Sequence, residues 1–418
     1  MRKRGVRTLA SVVAMLFCVW AMWISGRVAL SRLLARYGTI AANVAALNAA
    51  IGLTPSDAET HYAQAAFSNN VEQPAEALKE LELAVSLRPR DYDLWLELGL
   101  TRDELGDSAG ALSAFNESVR LAPYYSQPRW QRGNVLFRIG RYDEAFADLR
   151  NAATSNPDLV PNLVDLAWGA SRHDANLTER IFQPRDDSAH LTLARLFATH
   201  GKPAEAVAQF KLAHNNSDQM RNDLIRQLVA AGGLKQAYEL WSAGVVPQGG
   251  ADTSKVTIHD GGFEGALIID EAGFGWRPSR EPGLSLSLDA QHAHTGARSL
   301  RVDFNGNSNP GAPIVSQLIL AEPATRYKLD FAARMQKIVT GGLPIIIVSE
   351  ASGDRRELGR SVALHQGTSD WQTLSFEFAT GPTSEAIVVS LQRENCTSSP
   401  CPIFGTLNLD SFALERMK

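Results

Sequence analysis

The chain is poor in cysteine and has no surplus of either charge. Three Cys in 418 residues exclude a fold built on a disulfide framework. Forty-one Lys and Arg against 45 Asp and Glu leave a formal net charge of -4, without the basic face or stripe that nucleic acid requires. No nucleic-acid partner is therefore expected. Catalytic signatures are missing as well: there is no G-x-S-x-G elbow, phosphate loop, H-E-x-x-H or G-x-G-x-x-G. Carboxylates are plentiful, but no spacing singles out a glycosidase pair, and the chain is read as non-enzymatic. No low-complexity tract stands out. A length of 418 residues exceeds what one core holds and points to two or three domains.

One long apolar run is present. Thr8 to Ser25 carries no charge and follows the basic segment Arg2-Lys3-Arg4-Gly5-Val6-Arg7. As a helix this run spans about 27 Å, close to the thickness of a hydrocarbon core. Trp20 and Trp23 sit near its outer end, where aromatic rings favour the interface. A cleaved signal peptide and an uncleaved anchor both fit this composition. The run is long for a signal peptide and no small-x-small pair precedes Arg27, which favours the anchor. Basic residues ahead of the span favour an N-inside orientation, so the bulk of the chain is expected outside the cytoplasm. Cys18 lies within the span as an apolar filler. Cys396 and Cys401 enclose a short loop; a disulfide, suited to an oxidising compartment, is favoured over free thiols or a metal pair.

After the span the sequence repeats itself. Pro89, Pro123 and Pro157 are 34 apart, and so are Ala77, Ala111 and Ala145. Leu81, Phe115 and Leu149 keep the same period, as do Ala65, Gly99 and Gly133. These columns resemble the tetratricopeptide repeat, a pair of helices whose small residues let helix A approach helix B. A single repeat cannot bury its own apolar face, so neighbours stack into a solenoid. Repeats are expected at 58–91, 92–125 and 126–159. Further on, 162–170 reads as another helix A, 171–187 as irregular, and 193–213 and 224–241 as two more helical pairs, the last acting as a cap. Residues 26–53, rich in Ala and Leu, read as one connecting helix.

The resemblance implies that extended peptides dock on the concave side, which helix A lines. By position the groove candidates are Tyr62, Asp93, Leu96, Leu100, Asp103, Gln127, Trp130, Asn134 and Phe137. Leu96, Leu100 and Phe137 could equally serve packing between repeats.

From Gly244 the composition turns to Gly, Pro and small polar residues, as in a linker. Beyond it apolar residues alternate: Leu284, Leu286 and Leu288; Leu300, Val302 and Phe304; Tyr327, Leu329, Phe331 and Ala333. The pattern continues through Leu374, Phe376 and Phe378, then Ile387, Val389 and Leu391, and ends at Leu407, Leu409, Phe412 and Leu414. Short alternating strands with Gly, Pro, Asn and Asp between them predict an antiparallel β-sandwich of jelly-roll size. The expected division is 1–25 cytoplasmic stub and transmembrane anchor, 26–53 connecting helix, 54–244 solenoid, 245–255 linker and 256–418 sandwich. The fold class is α + β, multidomain.

Asp260-Gly261-Gly262-Phe263-Glu264, Phe274-Gly275-Trp276, the run His294 to Val302, Trp371 to Phe376 and Leu409 to Leu414 follow one another in an order that resembles jelly-roll carbohydrate-binding modules. That resemblance implies a structural calcium, Ca2+, held by the Gly262 carbonyl, Glu264, Asp410 and carbonyls of the 294–297 turn. Ordinary hydrogen bonds of Glu264 and Asp410 are the alternative, since calcium takes six to eight oxygens. Sugar recognition would use Trp276, Trp371 or Tyr327, although core placement is expected for the two Trp. His292 and His294 are read as solvated residues of a turn. With anchor and repeats, the whole resembles bacterial envelope proteins associated with exopolysaccharide synthesis. It implies a single-pass protein of the inner membrane, periplasmic in bulk, with a protein partner in the groove and a polysaccharide as second candidate ligand.

Overall fold

The computed structural model describes residues 2–244, 258–306, 308–396 and 400–417. The segment expected as a linker, 245–255, lies outside the described residues. The chain forms two compact units, Met1–Gln183 and Pro184–Lys418.

The first unit is helical throughout. Helix α1 (Arg2–Ile40) contains an apolar stretch, Ser11–Ile40, long enough to cross a membrane. It runs without a break past residue 25, and its second half pairs with α2 (Val44–Leu53). The single connecting helix expected over 26–53 is thus two helices. Ala42 takes a positive φ of 50°, and the Asn43 side chain then caps α2 by accepting the Ala46 N–H. The Ala- and Leu-rich composition of the run masks the break, although Gly38, Thr39 and Asn43 beside it are weak helix formers. Ala35, Leu47 and Ala50 are buried in this hairpin. Ser31 Oγ donates to the Ala50 carbonyl, and Arg27 reaches the Leu53 carbonyl.

Six helices follow as three pairs: α3 (Ala58–Asn70) with α4 (Pro74–Leu87), α5 (Tyr92–Glu104) with α6 (Ser108–Leu121), and α7 (Ser126–Arg138) with α8 (Tyr142–Ser155). They match the three expected repeats. The small columns do what their size requires. A Cβ on Gly99 would stand 2.5 Å from the Phe115 ring, and one on Gly133 would stand 2.8 Å from Leu149. The unit closes with α9 (Val160–Ala170) and α10 (Ala175–Phe182). Helix α10 lies inside the stretch expected to be irregular. It is eight residues long and lacks the repeat columns, yet Asp174 caps it on the Leu177 N–H and Thr178 and Phe182 are buried.

The second unit begins with α11 (Asp187–Thr199), α12 (Pro203–Leu212), α13 (Asp218–Ala230) and α14 (Leu234–Ser242). Among the described residues, ten strands then form two antiparallel five-stranded sheets. One sheet runs β1 (Arg277–Pro278), β4 (Val315–Leu320), β9 (Ala386–Arg393), β6 (Pro344–Glu350), β7 (Glu357–Arg360). The other runs β2 (Leu284–Asp289), β3 (Ser299–Asn305), β10 (Ile403–Arg416), β5 (Arg326–Thr340), β8 (Gly367–Ala379). Leu300, Val302, Phe331, Val389 and Leu409 fill the core, as alternation expects, together with Ile346 and Val348. The register of β10 shifts between Asp410 and Ala413, and Ser411 takes a φ of 56°. Helix α14 belongs to this unit through Trp241, which donates to Glu271 and lies 4.9 Å, ring to ring, from His259.

Candidate functional site

Helices α3, α5 and α7 occupy the helix-A positions, and their candidate residues divide into three kinds. Leu96 is only 2% exposed, packed with Ala111, Phe115 and Val135, and Leu100 lies against the same cluster. Phe137 makes edge contacts with Tyr142 and Phe146, tying α7 to α8. These three serve packing. Asp103 is engaged by Arg138 one repeat further on. The remaining five, Tyr62, Asp93, Gln127, Trp130 and Asn134, keep some or all of their surface open.

The first two repeats form an acidic patch. Burial, followed by the charges of Glu97, Asp93, Glu59 and Asp91, pushes the Tyr62 hydroxyl up to about 12. Asp93, open at its tip but crowded along one side, is raised by desolvation and by Asp91. Glu97, one turn along α5, is raised by desolvation and then by Asp93. Neither carboxylate of the Asp93–Glu97 pair has an ion-pair partner among the described residues. Glu97 is absent from the positional reading of the groove. Its i, i+4 spacing from Asp93 is the signal that would have found it. The third repeat is neutral here: Gln127 is exposed, and Trp130 and Asn134 are half-buried.

In the sandwich, three of the expected residues converge. The Glu264 carboxylate accepts the Ala297 and Arg298 N–H groups at 2.7 and 3.2 Å. The buried Asp410 carboxylate accepts His294 N–H at 2.7 Å and Thr295 N–H at 3.1 Å, as well as Ser411 N–H. Gly262 lies beside both side chains. The 294–298 turn therefore presents N–H groups to these carboxylates, where a calcium shell needs oxygens. A hydrogen-bonded clasp accounts for this donor set, and a cation does not fit it. Among the described residues no group of three or more His, Cys, Asp and Glu side chains could hold a metal.

Of the aromatics, Trp276 and Tyr327 are core, Trp276 stacked on Phe263 and Tyr327 hydroxyl accepting the Glu322 N–H. Trp371 departs from its expected core placement. It is half-exposed on the edge strand β8, with its ring 5.4 Å from that of His294. It lies three residues before Leu374, out of phase with the inward series Leu374, Phe376 and Phe378, at the place where the register against β5 shifts between Gln372 and Ser369. His292 and His294 bond separately, to Asp289 and to Ser411. Cys396 and Cys401 form a disulfide with Cα atoms 5.7 Å apart. Next to it, Arg393 is 2% exposed and has no carboxylate partner among the described residues; it donates to Ser308, Thr340, Gly342 and Cys401.

The chain carries tetratricopeptide repeats: the family model of that repeat matches residues 70–126. Protein FlbA of Caulobacter vibrioides is 32% identical over 101 residues, which is 24% of this chain and 17% of FlbA. The chain thus spans less than a fifth of the length of that relative. Among solved structures, YrrB, described as a TPR protein with an unusual peptide-binding site, is 22% identical, with 39% of this chain and 88% of YrrB covered and a TM-score of 0.32. A structure titled CBM4 structure and function is 14% identical, with 38% and 99% covered and a TM-score of 0.29. Tetratricopeptide repeats are protein-interaction scaffolds.

Proposed function

We propose that the protein is a non-catalytic, membrane-anchored adaptor. Helix α1 crosses the inner membrane, the bulk of the chain lies outside the cytoplasm, and the solenoid groove holds a protein partner during exopolysaccharide or envelope assembly. In this reading residues 1–25 serve as stub and anchor, 54–244 as the binding solenoid and 256–418 as a second contact surface. The observation that carries the groove assignment is the Asp93–Glu97 pair beside Tyr62, two desolvated carboxylates without a cation. A lysine or arginine of the partner would relieve both, while Gln127, Trp130 and Asn134 receive less charged neighbours. The test is photo-crosslinking in cells from Gln127 on the groove and from Ser86 on helix α4. Adducts to one protein from position 127, lost on Glu97→Lys and absent from position 86, support the reading. Equal adducts from both positions sink it.

A second reading, glycan binding by the sandwich, is favoured by the half-exposed Trp371 beside His294. Affinity electrophoresis of the full chain in detergent through polysaccharide-containing gels tests it. Retardation abolished by Trp371→Ala supports glycan binding, and unchanged mobility in all gels removes it.

A further inference from the structure

The path of the chain after the apolar run places one edge of the solenoid at a defined height. Helix α1 continues straight from the run into the hairpin with α2, and α2 returns antiparallel beside it. Arg27, two residues past the charge-free run, reaches the Leu53 carbonyl, and its guanidinium stands 4.9 Å from the Trp23 ring. Ser31 is bonded to Ala50 and Thr54. The turn at 54–57 is therefore level with residues 27–32 of α1, about 3–10 Å beyond the run at 1.5 Å per residue. That is the depth of a headgroup layer, roughly 5–7 Å thick on each side of the hydrocarbon.

Each later helix pair reverses direction twice, so the turns leading into α5 and α7 lie on the same edge. Named contacts trace it. Asp57 takes Arg32 at 2.8 Å from α1 and Arg88 at 2.6 Å from the next turn. Tyr92 at the start of α5 lies 5.0 Å, ring to ring, from Tyr125 at the turn after that. This edge exposes what an interface accepts: Tyr124 is 87% exposed and Tyr125 58%. Residues Arg88, Pro89, Arg90, Asp91 and Tyr92 of this edge line an open hollow of ≈ 530 Å³. The edge holds Arg27, Arg32, Arg88 and Arg90 against Asp57, Glu59, Asp91 and Asp93, so its charges balance. Asp57 and Glu59 are already paired with arginines. The opposite edge exposes Val71, Leu105 and Ile139, but it is one helix, about 20 Å, further out.

We propose that the edge formed by the turns at 54–57, 88–91 and 122–125 rests on the phospholipid headgroups of the membrane that α1 crosses. Tyr124 and Tyr125 are its interfacial anchors, and Arg90, which has no ion-pair partner among the described residues, faces the phosphates. The inference rests on the reading of α1 as a membrane span, and the test separates the two. Full-length protein with Cys18→Ser receives a single environment-sensitive fluorophore at Val19→Cys, Ser56→Cys, Tyr124→Cys or Glu104→Cys. It is reconstituted into vesicles of phosphatidylethanolamine and phosphatidylglycerol containing headgroup-nitroxide lipid, with iodide as the aqueous quencher. The expected result is lipid quenching at 56 and 124 several-fold above that at 104, with 19 inaccessible to iodide. Position 124 matching 104 while 19 stays shielded overturns the docking and leaves the anchor standing. Iodide access at 19 overturns the anchor and the docking together.

Discussion

The repeats and the sandwich hold their shapes by opposite means. Each repeat is fixed by residues a few helical turns apart, and the same contact recurs 34 residues later: Gly99 on Phe115, then Gly133 on Leu149. The sandwich depends on groups brought together from far along the chain. Asp410 meets a turn more than 110 residues earlier, and Arg393 reaches Ser308 across 85 residues. Damage to a solenoid should therefore stay near its origin, whereas damage to a sandwich lock should spread through both sheets.

The largest effect should follow Arg393→Met. The side chain keeps its bulk, but the Ser308 and Cys401 carbonyls lose their donor, at about 1–3 kcal/mol for each buried group left unmade. Hydrogen exchange should accelerate in strands of both sheets and remain unchanged in α3–α8. Exchange confined to the 394–402 connection would break the comparison.

A smaller and local loss is expected from Gly99→Val. The new Cβ meets the Phe115 ring, and overpacking of this kind costs about 1–3 kcal/mol. Exchange should rise in α5 and α6, less in their neighbours, and not in the sheets. Uniform loss across the sandwich would show that the two units unfold as one.

Acid should act in opposite directions on two named sites, with the smallest effect of the three. Burial works to raise the Asp289 carboxyl, but hydrogen bonds from Gln291, His292 and Asn408 outweigh it and bring it down to about 2. Its stabilising contribution is complete above the ordinary carboxylate value near 4 and is lost as pH falls through about 2. Asp93 and Glu97 are raised in the folded state, so their contribution rises as pH falls and they take up protons. Chemical denaturation followed between pH 5 and 2 should show Asp289→Asn flattening the acid loss of the sandwich. Asp93→Asn with Glu97→Gln should stabilise the solenoid near neutrality. A destabilised double variant would mean that these carboxylates have a cationic partner within the fold.

How much the residues disclosed follows the same division. The 34-residue columns located three helix pairs, because a repeat states its packing rule several times. Where the rule is stated once, reading failed. Helix α10 has eight residues and none of the columns, and the break at Ala42 falls in a run whose Ala and Leu content hides the weak helix formers Gly38, Thr39 and Asn43. Alternation found six strands, including the core faces of β3, β5 and β9. It passed over β4 (VSQLIL) and β6 (PIIIVSE), whose apolar residues are nearly continuous and carry little period-two signal. Trp371 was misplaced because its core placement followed the resemblance; three residues before Leu374, it is out of phase with the inward series by alternation itself. Arg393 closes an apolar strand and gives no hint that its acceptors come from three other segments, at 308, 340–342 and 401–402. Among groove residues, position alone could not separate Leu96, which is enclosed, from Gln127, which is open.

The unbroken course of α1 has a rotational consequence. A helix turns 100° with each residue, so the hairpin it forms with α2 points in a compass direction set by the count of residues between the run and Ser31. One residue inserted at Gly26 would swing the acidic patch of Tyr62, Asp93 and Glu97 by about 100° around the membrane normal. Seven would restore its bearing to within about 20°, while lifting it by about 10 Å. A partner held in the same bilayer would meet the groove in the second case and miss it in the first.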